Sequence, residues 1–571
     1  MPGRPSSPAL PQGVADALVL LLVGACLSWG LGQPPIRDNN EALYASIALA
    51  MSHGGSWLIP HLDGVPYIEK PPLLYWLMAL CFKAFGVGAW QARLPDAAAA
   101  WLVSLGCLLL GRHLRAPLAG RTAALVCGTA FGWVQISRTI LFDPLLSLWW
   151  LSALALVMLA SLRDRPALMR WAMLPLALGV LSKGPLALGL IGLVGLVQLL
   201  LSPAPLSRAR LLRLYVDPWS IAIFLLLALP WQLLAAWRQP GFAWFFWVNE
   251  TINRFLGTRI PDDFHHGPWW YYGPTLLVGI FQWSPLLLSL ALRGARGAAA
   301  DPRERSAIWA RNAALTLLLF FSLSSDKGAY YLLPVVPLLA WWGAMRLQFL
   351  EDRGQLARWL PLAAAGCAAF GLAALALWLG SIGYRPLHLL VLQSGLPDSM
   401  GPALRLLILG LLALSLLAAG LLLAARLDAA LLLFGFIGLA LSLFTTQLQV
   451  AKGPQSSQQR VALYLHDLYP GGVEMYSWQT FEDHDASLWF YGLRPLRVVD
   501  SKSSDLWFGC HHGGSASPCV DQAALRRSVA SGRPTAIWVA RSRLHSFLDS
   551  GLACGMQAVD FGYSVVFVHP P

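Results

Sequence analysis

A chain of 571 residues that is 57% hydrophobic and only 12% charged is too apolar for a soluble protein, where about a quarter of residues carry charge. With a mean hydropathy of +0.57 it reads as a polytopic α-helical membrane protein, because helices satisfy their own backbone groups in lipid. The net charge of +12 does not mark a nucleic-acid binder: most Lys and Arg fall in short loops between apolar runs, where they report topology.

The first apolar run is Val14 to Leu31. Within it Val23-Gly24-Ala25-Cys26 faintly resembles a lipoprotein cleavage site, but the many later runs argue for an uncleaved first span. Further spans are predicted at 97–111, 117–135, 143–161, 168–182, 185–201, 217–236, 272–292, 308–323, 329–347, 358–380, 402–424 and 428–447. Alternate loops are basic. Arg112 to Arg121 and Arg163 to Arg170 hold three Arg each, and Ser202 to Asp217, Arg293 to Arg311, Arg346 to Arg358 and Arg426 continue the series. The positive-inside rule makes that side cytoplasmic. The alternation works only if Pro72 to Gly86 does not cross, so this stretch is expected to be an interfacial helix. About 13 spans then place the N-terminus inside and the C-terminal tail outside.

The outer side collects the chemistry, in loops 33–96, 136–143, 237–271 and 324–331 of a membrane domain covering 1–450. The first loop contains Pro66-Tyr67-Ile68-Glu69-Lys70-Pro71-Pro72, which puts a phenol, a carboxylate and an ammonium against the start of an apolar helix. Charge beside hydrocarbon is costly without a partner, so either Lys70 snorkels to the interface or it serves a site. The other outer loops also carry acid, base or paired tyrosines, and this favours a shared site.

After Gln447 the chain becomes less apolar. A polar linker is expected over Gln455 to Gln459, followed by a small α/β domain over 455–571. Strands are predicted at Val461–Leu465, Leu488–Tyr491, Ala536–Val539 and Ser564–Val568, with a helix at Gln522–Ala530. Cys510, Cys519 and Cys554 lie here, and a Cys510–Cys519 bridge is one of the pairings open to them. His511-His512 reads as a surface loop.

These residues resemble a family. Tyr67-Ile68-Glu69-Lys70-Pro71-Pro72 is similar to the Y-F-E-K-P-P signature of bacterial integral-membrane glycosyltransferases of the aminoarabinose-transferase and protein O-mannosyltransferase-like group. Arg37 to Ala45 resembles their acidic stretch after the first span. Arg93-Leu94-Pro95, Leu181 to Pro185, Asn253-Arg254-Phe255, His265 to Tyr271 and Lys327 to Pro334 are similar to further family motifs. The resemblance implies a GT-C fold and an inverting transfer of sugar from undecaprenyl phosphate at the outer face of the bacterial inner membrane. The implied acceptor is lipid A, another envelope glycolipid or protein.

A lipid-phosphate leaving group needs cations to hold its charge. The resemblance puts Tyr67, Lys70, Arg254 and Tyr331 at the carrier phosphate and Asp143 at a second acidic position. An acceptor hydroxyl needs a base. Here the chain departs from the family, with Asn40 where Asp is expected and Leu43 where Arg is expected. Asp38 or Glu41 takes the role, or the acceptor is an already ionised phosphate. Glu69, His265 and His266 are the residue types of a zinc site, although regular ligand spacing is missing. Two rival readings are a flippase for the lipid carrier and a non-catalytic lipid-binding subunit. A transporter would place polar groups at the midplane, often between repeats, and neither is visible.

Overall fold

The computed structural model describes every residue except 1–10, 202–207, 263–265, 384–396, 398–399, 482–484, 513–516 and 570–571. The protein is a helical membrane protein with a sheet domain at its C-terminal end. Each run read as a span is helical, and nine helices among the described residues are long and apolar enough to cross a bilayer. Leu73–Phe85, the expected surface helix, has 13 residues and rises about 20 Å, short of the ~30 Å hydrocarbon core. Pro72 starts it, and Gly86 ends it at φ 82°, a left-handed backbone that favours glycine.

Two expected spans are broken. Pro117–Thr129 gives way to Phe131–Ser137 at an extended Ala130, and Tyr272–Ile280 passes through a tight turn, Phe281–Trp283, into Ser284–Arg293. The breaks face each other. Gln282 donates to the Thr129 carbonyl and accepts from the Phe131 N–H, and the Trp283 indole donates to the Thr129 hydroxyl at 3.0 Å. Backbone groups freed inside a bilayer are thereby satisfied. Glycine makes such packing close: a Cβ on Gly132 would sit 2.6 Å from the Gly279 Cα.

Buried cations tie the bundle to its outer loop. Arg138 donates to the carbonyls of Cys26 and Trp29 and to the hydroxyls of Ser442 and Thr446, joining the first helix to the last. Arg93 donates to the carbonyls of Leu31, Pro34 and Pro35 and to both Glu41 oxygens at 2.8 Å.

The C-terminal part departs from expectation in three places. The last long helix, Leu427–Ser456, runs through Pro454 and removes the expected linker start. Residues 461–465 belong to helix Gln459–Leu468, whose buried Val461, Ala462 and Leu465 have helical spacing. Residues 488–490 belong to helix Ala486–Phe490, where every side chain is buried and no period shows.

A short hairpin, β1 (His61–Leu62) and β2 (Val65–Pro66), precedes Tyr67. The sheet itself comprises β3 (Glu474–Trp478), β4 (Leu496–Val499), β5 (Cys519–Val520), β6 (Thr535–Ala540), β7 (Gln557–Asp560) and β8 (Ser564–Val568). Their order is β5-β4-β3-β6-β8-β7, with β3 parallel to β4 and β6, and β8 antiparallel to β6 and β7. Two expected strands are found as β6 and β8, and the helix at Gln522–Ala530 is present. Side chains alternate as the pleat requires. Met475, Trp538 and Val566 pack toward the membrane part, while Tyr476, Ile537 and Phe567 face Leu525 and Phe547. Cys510 and Cys519 are disulfide-bonded, and Cys554 is an exposed free thiol.

The sheet domain grips the first outer loop. Asp63 accepts from the Trp489 indole at 2.7 Å and the Leu496 N–H at 3.3 Å, and Tyr491 accepts from the Ile36 N–H at 2.9 Å. Trp507 and Phe508 stack against Phe245 from the third outer loop.

Candidate active site

The hairpin turns at Asp63-Gly64, both with positive φ, and the Tyr67 N–H returns to the Pro60 carbonyl at 2.8 Å. This local fold delivers the signature residues to the mouth of the bundle before the two prolines release the next helix. Tyr67 is buried, and its phenol lies within donating reach of Glu69 at 3.3 Å and Asp505 of the sheet domain at 3.2 Å. Burial, with those two carboxylates, holds the phenol well above its usual range, so it stays a donor.

Glu69 and Lys70 join a network of paired charges. Lys70 Nζ is 3.4 Å from Glu250 and 3.7 Å from Glu69. Arg259 bridges Glu69, at 3.1 Å, and Glu250. Arg254 reaches Glu250 at 3.1 Å and Asp326 at 2.9 Å, and the Tyr331 hydroxyl donates to Asp326 at 2.6 Å. Beside them Lys183 meets Asp143 at 2.6 Å, its ammonium 4.7 Å from the Tyr331 ring centre and 5.2 Å from that of Tyr330. Burial alone would raise Glu250, but Lys70, Arg259 and Arg254 outweigh it and hold the carboxyl down at about 2. Burial and the neighbouring Glu250 push Glu69 upward instead.

A cavity of about 410 Å³ opens on this network. Lys70, Asp143, Lys183, Glu250, Arg254 and Tyr331 are its polar lining, and Leu186, Phe246, Phe255, Leu256, Phe320 and Phe321 its apolar lining. Four cations stand against four carboxylates, so an entering phosphate must draw a cation away from its partner. Lys70 has the longest carboxylate contacts and Lys183 one of the shortest, so Lys70 is the more easily recruited.

The structure brings Glu69, Lys70, Asp143, Arg254 and Tyr331 to one cavity and places Tyr67 behind Glu69. Glu41 stands apart: both oxygens are engaged by Arg93, and Arg37 adds a contact at 3.3 Å. Burial favours its neutral form, but the two guanidinium groups win and hold it at about 2. Glu41 is thus the buried ion-pair partner of Arg93. Asp38 accepts from the Ser487 N–H at 2.9 Å and the Gln458 amide at 3.2 Å, and burial pushes its carboxyl up to about 7 despite those bonds.

His265 lies outside the described residues. His266 is placed by a backbone bridge to Asp326, and Glu69 is held by Lys70 and Arg259. No group of three His, Cys, Asp or Glu among the described residues is set to hold a metal, so the described part of the predicted zinc site is not assembled. Asn249 closes its own loop, donating to the Ile260 carbonyl at 2.6 Å and accepting from its N–H at 2.9 Å.

Sequence reasoning missed Lys183, Glu250, Arg259 and Asp326. Lys183 carried a signal, since the span count puts its turn on the same outer side. The other three are partners fixed only by tertiary packing.

Residues 69–233 match the family described as dolichyl-phosphate-mannose-protein mannosyltransferase. The resemblance read from the motifs is borne out by this similarity to a family of membrane glycosyltransferases. Within it, the undecaprenyl phosphate-alpha-4-amino-4-deoxy-L-arabinose arabinosyl transferase of Pectobacterium carotovorum subsp. carotovorum is 33% identical over 356 residues, 59% of this chain and 61% of that one. The protein of the same name from Pseudomonas paraeruginosa is 34% identical over 368 residues, 63% and 65% of the two chains. These matches span less than two thirds of the relatives' length. The crystal structure of ArnT from Cupriavidus metallidurans bound to undecaprenyl phosphate superposes with a TM-score of 0.77 over 97% of both chains, at 22% identity. At that identity the likeness establishes the fold.

Proposed function

We propose that this protein transfers an amino-sugar from undecaprenyl phosphate to a lipid A-type glycolipid at the periplasmic face of the bacterial inner membrane. The observation that carries the reading is a cavity lined both by cations and by aromatic and aliphatic side chains, the two chemistries of a prenyl phosphate. Lys70 and Arg254 take the carrier phosphate, Tyr331 donates to it, and Tyr67 positions the Glu69-Lys70 segment. Asp143 holds Lys183 toward the same oxygens. The acceptor oxygen attacks the anomeric carbon, the bond to the phosphate oxygen breaks with inversion, and the phosphate leaves with the electron pair. Where the acceptor is a hydroxyl, Asp38 takes its proton; an acceptor phosphate needs only positioning.

Basic loops on one side and the cavity's loops on the other support 13 crossings, with the N-terminus cytoplasmic and both the site and the sheet domain periplasmic. The membrane domain extends through Ser456, where the last long helix ends, and the sheet domain follows. The test is transfer by purified protein from undecaprenyl-phosphate aminoarabinose to lipid A. Loss of transfer in Lys70→Ala with retained folding is expected; full activity in that variant sinks the site.

A further inference from the structure

Behind the charged network lies a buried aromatic and aliphatic cluster. Ile68 and Leu73 enter it from either side of Glu69 and Lys70, Leu181 from just before Lys183, and Phe245 and Phe246 from the turn before Glu250. Three of the segments that carry charge to the carrier cavity are thus rooted in one packed core. Phe246 also lines the cavity, and a Cβ on Gly184 would meet its ring at 3.2 Å. The Thr251 hydroxyl donates to the Phe246 carbonyl at 3.0 Å, which ties that ring's backbone to the turn leading into Arg254.

Among the buried described residues of that cluster, Phe508 alone comes from the sheet domain. Its ring centre is 4.9 Å from that of Phe245, and Trp507 stacks on the same Phe245 ring at 6.1 Å with 14° between the planes. Both ride on the short helix Trp507–His512. This helix lies so close to the hairpin that only glycine fits between them. A Cβ on Gly509 would sit 2.4 Å from the Val65 side chain and 3.0 Å from the Pro66 carbonyl. The next residue, Cys510, is bonded to Cys519 on β5, which pairs in parallel with β4. The disulfide fixes the helix to the sheet, and the aromatic rings fix it to the third outer loop. Close-packed interiors have few voids and pass displacement on. Lys70, Lys183 and Arg254 reach the cavity on long side chains, so a shift of about 1 Å at their roots misplaces the charge a phosphate would meet.

We propose that Phe508 is a positioning residue for the carrier site and that the Cys510–Cys519 disulfide holds it there. The sheet domain then sets the affinity for a prenyl phosphate through the aromatic cluster, from outside the cavity. The proposal rests on the transferase reading above.

The test uses the full chain in lipid nanodiscs, with bare undecaprenyl phosphate as the binding probe and thermal melting to check folding. Phe508→Ala, and separately Cys510→Ser with Cys519→Ser, are expected to weaken that binding about tenfold. The KM for the sugar-loaded donor rises in step, while kcat at saturating donor stays within about threefold of wild type. Phe508→Leu keeps most of the buried volume and is expected to restore affinity. A merely structural role would instead lower kcat through loss of folded protein and leave KM alone, and that pattern overturns the proposal. Unchanged binding in folded Phe508→Ala, or Phe508→Leu no better than Phe508→Ala, also overturns it. So does a Phe508→Ala chain that does not fold, because the ring would then hold the domain and not the site. Unchanged binding in the double serine variant overturns the part assigned to the disulfide. Wild-type protein that binds undecaprenyl phosphate but transfers nothing overturns the transferase reading alone, and the binding comparison still decides the role of Phe508.

Discussion

Two cavities meet at Asn40 and are lined differently: the carrier cavity, and one of about 780 Å³ between residues 37–41 and the sheet domain. The carrier cavity is lined with full charges, each paired with an opposite one, and with apolar side chains. The sheet-side cavity is lined chiefly with neutral polar groups. A cation already paired with a carboxylate is drawn away only by a strong anion, and a phosphate is one. Neutral amides and hydroxyls exchange water for sugar hydroxyls at little cost and so distinguish shape.

The contrast is broken most severely by removing the recruitable cation. Lys70→Ala is expected to lower kcat/KM for transfer by roughly 10²–10³, the loss typical of one group that stabilises developing charge. Next comes the anchor between the regions. Glu41→Ala leaves Arg93 buried without its carboxylate and is expected to cost about 3 kcal/mol, read as a lowered melting temperature and denaturation midpoint.

The pH profile sharpens the acceptor side. If Asp38 is the base, transfer rises as pH passes through about 7 and Asp38→Asn removes that limb; an ionised acceptor phosphate leaves the limb intact in the variant. Stability runs the other way. The unfolded chain ionises Asp38 near its ordinary 3.8 and the folded one near 7, so folding loses stability as pH rises between those values. The smallest effect is expected at Asp505. Asp505→Asn keeps an acceptor for the Tyr67 hydroxyl and stays near wild type, while Asp505→Ala costs about 1 kcal/mol and raises the KM for the donor.

Legibility in the sequence follows the same division. The family motifs singled out Lys70, Arg254 and Tyr331, and Lys70 also stood out as a charge against the start of an apolar helix. Their partners Glu250, Arg259 and Asp326 sit in loops where acids and bases are ordinary, and only packing pairs them. The spans were legible from length and alternate basic loops. β3 was not, since only Glu474 among its residues escapes burial and the alternation that marks a strand disappears. The helix at Gln459–Leu468 has a clear apolar stripe, but Val461 and its neighbours also satisfy a short β pattern.

The facing breaks joined by Gln282 constrain how the protein is made. Gln282 lies 151 residues after Phe131 and 153 after Thr129. At ~5–20 residues per second, roughly 8–30 s separate the synthesis of the first broken helix from that of the side chain that completes it. Through that interval the Thr129 carbonyl and Phe131 N–H lack the partner they keep in the finished fold. The early part of the bundle is thus a membrane intermediate with a built-in defect, repaired only when the middle of the chain arrives.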